Sequence, residues 1–396
     1  MGLMLRFSFL LRLPVLLFLG VAYVAWRLAS GLSDGDMRWA VSLTLFLLYL
    51  IMMAGFRVRN RVGVRTADAV SWAGFLTLGF FSWLFVLTLL RDALLLLVFF
   101  LQFATRLHDA LWTMQFGEYS TWMVVGSSIA ATLLGLFNAR RQPAIVEVDI
   151  AIPGLPPSLD GFSIAQITDL HVGPTIKKKF VQRVVDRSNQ LGADVIVLTG
   201  DLVDGSVDQL GRHTLPLSLL TARHGVYAVT GNHEYYVGAL PWIAELERLG
   251  ITVLLNEHRV LELDNAKLVL AGVTDFGAEK FYAAHASSPA DALRNAPADA
   301  SVRILLAHQP RSVFSAAPLG FDLQLSGHTH GGQYWPWSYF VPLQQPFVAG
   351  LHQHQSMQIY ISRGTGYWGP PLRLGARSEI SHIRLRQSGP ARDIPT

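Results

Sequence analysis

Hydrophobic positions divide the chain into two textures. Up to residue 141 they form long runs, and from Gln142 onward they come in short bursts separated by turns and amphipathic stretches. A helix that crosses a bilayer needs ~20 mainly apolar residues. Phe7 to Trp26, Trp39 to Phe56, Val70 to Leu90 and Thr121 to Ala139 approach or reach that length and predict about four transmembrane helices. Arg12 and Pro14 interrupt the first run. A further run, Ala93 to Ala104, is too short to cross alone; it either prolongs the third helix past Arg91-Asp92 or lies in the interface. Trp26, Trp39, Trp72 and Trp122 fall near the run ends, where interfacial aromatics collect.

The second half reads differently. Ile145 to Ile152 alternates as a strand does, and Pro153 to Gly161 is a turn-rich connector. Phe162 to Thr168, Asp194 to Thr199, Val226 to Thr230, Val302 to Ala307 and Asp322 to Ser326 read as short buried strands, and Ile176 to Leu191 as an amphipathic helix. The pattern predicts an all-α transmembrane region over 1–141, an α/β domain over 142–386 and a flexible tail over 387–396.

Composition sharpens this division. The chain has 396 residues, is 51% hydrophobic and only 15% charged, and its mean hydropathy is +0.34; a plain soluble protein does not look like this. Cysteine is absent, which removes disulfides and thiolate metal ligands. The pI near 9.4 suggests an anionic partner, but the basic surplus is in the wrong place for nucleic acid. Residues 1–141 hold 12 Arg against 6 acidic residues, while residues 142–396 hold 20 basic against 22 acidic ones. Arginines beside apolar spans report topology. Arg57, Arg59, Arg61, Arg65, Arg140 and Arg141 fall on one side; Arg27, Arg38, Arg91 and Arg106 fall on the other, the first two offset by Asp34 and Asp36. The expected protein is therefore integral to a bacterial inner or other cell membrane, in contact with its lipids. Its N-terminus and second half are expected in the cytoplasm, with no nucleic-acid partner.

Five short segments carry the chemistry. Asp169-Leu170-His171, Gly200-Asp201, Gly231-Asn232-His233-Glu234, His308 and Gly327-His328-Thr329-His330 each follow a predicted strand, where open α/β sheets place their ligands. Setting His233 and Glu234 aside, they offer two carboxylates (Asp169, Asp201), the Asn232 amide oxygen and the imidazoles of His171, His308, His328 and His330. Such a set could hold two divalent metal ions a few ångströms apart, the arrangement that turns water into a nucleophile against phosphate esters. Nitrogen and oxygen ligands without sulfur suit Mn, Fe or Zn.

In the order D-x-H, G-D, G-N-H-[DE], H, G-H-x-H, these segments resemble the calcineurin-like metallophosphoesterase superfamily over roughly residues 145–386, with no ligand position substituted. Ser362-Arg363-Gly364-Thr365-Gly366, Pro371-Leu372-Arg373 and Glu379-Ile380 are similar to the membrane-anchored YkuE-like branch. The resemblance implies a four-layer αββα sandwich and a metal-dependent hydrolase acting on ester bonds. It implies one ion held by Asp169, His171, Asp201 and His330, and a second by Asp201, Asn232, His308 and His328. A hydroxide between them would attack phosphorus while His233 assists the leaving oxygen as catalytic residue.

Tyr334 to Phe340, directly after the last motif, is either core packing under a loop or an aromatic lip for a bilayer or acyl chain. The lip reading makes the expected phosphate ester or diester lipid-linked. The competing functions are a non-catalytic membrane scaffold or transporter with a metal-binding sensor domain, and a protein phosphatase or nuclease.

Overall fold

The computed structural model describes residues 2–58, 64–105 and 110–387. Arg59, Arg61 and Arg106, which enter the topology argument, lie outside the described residues, as does the tail beyond Gln387. The chain forms two compact units. One contains the N-terminal helices together with Gly369–Leu372; the other runs from Asn138 to Trp368 and resumes at Arg373.

The helical unit consists of α1 (Gly2–Ser30), α2 (Gly35–Arg57), α3 (Val64–Thr105) and α4 (Ala110–Arg140). Each carries a window long and apolar enough to cross a membrane. The run Ala93 to Ala104 continues α3 rather than forming a separate element. Asp34 starts α2 by accepting the backbone N–H groups of Asp36 and Met37. Gly55 of α2 meets Gly74 of α3, where an added Cβ would lie 2.8 Å from the Gly74 Cα; small residues let helices approach this closely. Leu89, Leu96, Phe99 and Phe103 point outward. That is the pattern of a surface solvated by lipid. The charged pair inside α3 is neutralised locally. Asp92 meets Arg27 at 2.6 Å, and Arg91 donates to Ser120 Oγ at 2.8 Å.

The second unit is built on two six-stranded sheets. The first contains β1 (Ala144–Ile152), β2 (Ser163–Ile167), β3 (Val195–Thr199), β4 (Val226–Val229) and β5 (Thr252–Val253). The second contains β6 (Glu257–Leu263), β7 (Ala266–Gly272), β8 (Val302–Leu306), β9 (Leu323–Ser326), β10 (Gly350–His354) and β11 (Met357–Ile361). The last strand, β12 (Glu379–Gln387), returns to the first sheet, giving orders β1-β12-β2-β3-β4-β5 and β10-β11-β9-β8-β7-β6. Arg386 and Gln387 close β12, opposite Ala151 and Ile152 of β1.

Alternation within strands makes the layers. In β3, Val195 and Val197 face the core between the sheets. Ile196 and Leu198 face the core shared with α5 (Lys178–Asn189), α6 (Val207–Thr214) and the helices that follow. In β8, Ile304 and Leu306 point to the inter-sheet core and Leu305 to a third core behind the second sheet. Three apolar cores therefore separate four layers, helices outside and sheets inside. Gln166 crosses between the sheets, donating from Nε2 to Thr199 Oγ1 at 2.9 Å and to the Ser326 carbonyl at 3.0 Å.

Candidate metal centre

Every predicted motif leaves the C-terminal end of a strand: Asp169 and His171 after β2, Asp201 after β3, Asn232 after β4, His308 after β8, His328 and His330 after β9. Because β2, β3 and β4 run parallel, as do β8 and β9, these loops emerge along one edge of the paired sheets. The backbone there is forced. Asp169, His171, Asp201, His328 and His330 all adopt positive φ, between 50° and 72°, a region costly for residues with a Cβ and concentrated at functional sites. The motif glycines make room for the carboxylates. A Cβ at Gly231 would strike Asp201 Oδ1, and one at Gly327 would strike Asp169 Oδ2 and Thr168 Oγ1.

The side chains converge in three groups, each with its donor atoms within 4.8 Å of one another: Asp169, His171 and His330; Asp201, His308 and His328; His171, Asp204 and His233. His171 Nε2 lies 3.1 Å from His330 Nε2, and His330 Nε2 lies 3.4 Å from Asp169 Oδ1. On the other side, His308 Nε2 lies 3.2 Å from His328 Nδ1 and 3.1 Å from Asp201 Oδ2. Asp201 Oδ2 is common ground, 3.9 Å from both His171 Nε2 and His233 Nε2. Its other oxygen is already committed, accepting the His233 backbone N–H at 2.8 Å.

These residues fit divalent ions. Asn232 Oδ1 is buried and has no hydrogen-bond partner, an arrangement that is costly unless something absent from the protein atoms satisfies it. His308 gives its Nδ1 proton to the Thr199 carbonyl at 2.8 Å, which aims Nε2 at Asp201. His171 points Nδ1 at Asp204 Oδ1, 3.1 Å away, freeing Nε2 in the same way. Arg373 Nη2 lies 3.0 Å from His330 Nδ1. A guanidinium only donates, so Nδ1 accepts there and the neutral ring carries its proton on Nε2, which an ion at that nitrogen would have to displace.

Electrostatics in the protein alone express the same crowding. Burial and then Asp201 push the Asp169 carboxyl up. Burial opposes ionisation of Asp201 as well, yet His308 and His233 hold it well below the usual carboxylate range. His308 is desolvated but is still pushed up to about 10 by Asp201, whereas burial and His308 push His328 down to about 3. One imidazole of this pair carries a proton that cation binding would have to release. Burial likewise works against His233, but Asp201 and Asp204 outweigh it and raise its pKa to about 9.

Three neighbours lie outside the expected ligand set. Asp204 accepts from His171 Nδ1 and also meets His233 Nδ1 at 2.6 Å. Its only sequence signal is its position three residues after Asp201. Arg373 is fully buried and bonded to the carbonyls of His330, Arg363 and Gly366. Glu234 accepts the backbone N–H groups of Asp201, Leu202, Val203 and Gly231, locking two motif loops together. His382, which belongs to none of the motifs, is buried in β12 against Glu147, at 3.0 Å.

The Tyr334–Phe340 segment divides between the two expectations. Tyr334 is buried, while Trp335, Trp337, Tyr339 and Phe340 are exposed. Trp368, also exposed, holds its ring 5.6 Å from that of His233, and exposed Tyr236 lies 5.2 Å from it.

A four-layer αββα sandwich with an Asp/Asn/His cluster at one sheet edge defines the metallophosphoesterase class of domains. The family model described as calcineurin-like phosphoesterase matches residues 162–332. A transmembrane protein with metallophosphoesterase domain from Danio rerio is 37% identical over 262 residues, covering 64% of this chain and 60% of the relative. An uncharacterized metallophosphoesterase of Helicobacter pylori is 40% identical over 253 residues, covering 63% and 66%. The uncharacterized metallophosphoesterase YkuE of Bacillus subtilis is 30% identical over 245 residues, covering 59% of this chain and 82% of the relative. The chain belongs to the calcineurin-like metallophosphoesterase family, and it spans slightly less than two thirds of the length of the first two relatives.

Proposed function

We propose that this protein is a membrane-integral, two-metal phosphoesterase that hydrolyses a phosphate ester or diester carrying an apolar group. The observation that carries this reading is the approach of His171 from one Asp/His group and His308 from another to Asp201 Oδ2, together with the buried, unpartnered oxygen of Asn232. Asp169, His171, Asp201 and His330 would hold one ion, and Asp201, Asn232, His308 and His328 the other. When bound, a pair of divalent ions neutralises phosphoryl oxygens and lowers the pKa of water.

The chain's own residues do the rest. Asp204 orients His171 and His233 from one oxygen. His233, protonated at neutral pH by its acidic neighbours, holds a proton for the leaving oxygen at the mouth of the site. Trp368, Tyr236 and the exposed face of Trp335 to Phe340 offer apolar surface to the remainder of the substrate, which supports a lipid-linked ester. The arginine asymmetry supports a cytoplasmic catalytic domain.

The test is hydrolysis of bis-p-nitrophenyl phosphate and p-nitrophenyl phosphate by the detergent-solubilised full chain, with Mn²⁺ and with chelator. Metal-dependent turnover of either ester, abolished in Asp201→Asn, supports the assignment. Metal binding without turnover of these or of long-chain phosphate esters returns the protein to the sensor or scaffold reading.

A further inference from the structure

An apolar pocket adjoins the His308 side of the ligand cluster. It has a volume of about 410 Å³ and is lined chiefly by Phe276, Phe314, Pro342, Leu343 and Pro346, with Arg311 as its only charged residue. That size is within the ~300–1,000 Å³ typical of small-ligand sites. Phe276, Phe314 and Leu343 are exposed, so a ligand can reach it from solvent. Hydrogen bonds fasten its walls to the motif loops. Gln309, the residue after His308, donates from Nε2 to Oδ1 of Asp275, next to Phe276, at 2.9 Å. Its Oε1 accepts from Gln345 Nε2, next to Pro346, at 3.1 Å. Thr329, between His328 and His330, donates to the Val348 carbonyl at 2.6 Å.

Arg311 gives the pocket its charge. The guanidinium carbon lies 5.2 Å from the centroid of the Phe276 ring, and Nη2 donates to the Gln344 carbonyl. Among the described residues Nη1 has no hydrogen-bond partner and no carboxylate pairs with the guanidinium. The acid beside Phe276 is engaged elsewhere: Asp275 Oδ1 accepts from Gln309, and Oδ2 accepts the Gly277 N–H at 2.8 Å. Residues 323–362, which supply the wall from Pro342 to Pro346, contain no Asp, Glu, Lys or Arg. An apolar pocket whose one charge is a cation suits an apolar group that bears an acid.

Surface for organic groups therefore occurs at two places around the cluster. His233 is flanked by Tyr236 and Trp368, whereas His308 and His328 are tied to the Arg311 pocket. A phosphate monoester has one organic arm; a diester has two. We propose that the substrate is a phosphodiester whose retained arm, an apolar group bearing an acid, occupies this pocket, with Arg311 as a specificity-determining residue. The inference rests on the phosphoesterase reading. In the step it describes, a water oxygen bonds to phosphorus and the ester bond on the His233 side breaks. The leaving oxygen takes the His233 proton, the proton lost by water restores it, and the retained arm stays on phosphate as a monoester.

The experiment uses the full chain in non-ionic detergent with Mn²⁺ and three p-nitrophenyl phosphodiesters, whose second arm is methyl, nonyl or 8-carboxyoctyl. kcat/KM should rise in that order: about tenfold or more from methyl to nonyl through burial of apolar area, and severalfold again for the carboxylate through a charge-assisted contact. Arg311→Gln should erase the second step and keep the first. Ser315→Trp, which fills the pocket from an exposed lining position, should erase both. The readout is the ratio within each variant, so a general loss of turnover does not imitate it, and thermal melting reports the fold. Turnover with equal kcat/KM for all three esters, or with unchanged ratios in Ser315→Trp, overturns the pocket assignment and leaves the phosphoesterase reading standing. An Arg311→Gln variant that slows all three esters equally overturns the acidic arm. No metal-dependent turnover of any diester sinks the phosphoesterase reading instead. Calorimetric titration with 8-carboxyoctyl phosphate then judges the pocket, and equal affinity of the wild type and Ser315→Trp overturns it.

Discussion

Asp204 Oδ1 lies 2.6 Å from His233 Nδ1, and the same oxygen lies 3.1 Å from His171 Nδ1. One carboxylate thus orients a proposed metal ligand and the proposed proton donor together. Replacing Asp204 with Asn removes a charge that raises the His233 pKa. A histidine whose pKa is raised keeps its proton to higher pH, so Asp204→Asn should release it earlier. The alkaline limb of the kcat profile should move to lower pH, and activity should fall by about 10–100-fold. A pH–rate profile checks both; an unmoved limb would separate Asp204 from His233.

His233 and Asp201 should fail in different ways. His233→Ala should lower kcat by about 10²–10⁴, the usual worth of a positioned general acid, while retaining bound metal. Asp201→Ala should lose activity and metal together, since Asp201 Oδ2 faces His171 and His308. Elemental analysis of the purified variants beside their turnover numbers distinguishes the two.

Glu234 is a structural acid. Four backbone N–H groups converge on it, while burial and Asp201 push its carboxyl up to about 7. Glu234→Gln turns an amide NH₂ toward some of those donors and should cost roughly 1–3 kcal/mol for buried groups left unsatisfied. A lower thermal midpoint is expected, with metal affinity reduced because the Asp201 loop is no longer pinned.

The exposed tryptophans test the substrate. Trp335→Ala/Trp337→Ala should leave bis-p-nitrophenyl phosphate hydrolysis within about twofold, because neither side chain belongs to the proposed ligand set, while raising KM for long-chain phosphate esters severalfold by removal of apolar contact area. Unchanged kinetics on both substrates would confine the lip to packing.

Much of the site was readable before any fold was known. Asp169, His171, Asp201, Asn232, His328 and His330 stand out as candidates because each lies in a short polar motif just after a burst of apolar residues, whereas the lone His308 stands out only through their company. Asp204 and Arg373 do not. An aspartate three residues after Asp201 looks like any loop acid, and an arginine 43 residues beyond His330 gives no hint that it contacts that ring. Nor could spacing show that one Asp201 oxygen is used by the His233 backbone, or that His382 is buried in a strand.

Local order fixed the rest of the outline. Stretches of about twenty apolar residues cannot be solvated by water, and strands that alternate or bury both faces cannot be helices, so a helical membrane region followed by an α/β domain was dictated residue by residue. The three-dimensional pairing decided what those rules leave open: that β12 returns beside β1 and β2, and that loops separated by up to 159 residues bring two histidine nitrogens within 3.1 Å. The reason is physical. Periodicity reports which face of an element avoids water, whereas a cavity or a ligand cluster depends on which distant elements finally share an edge.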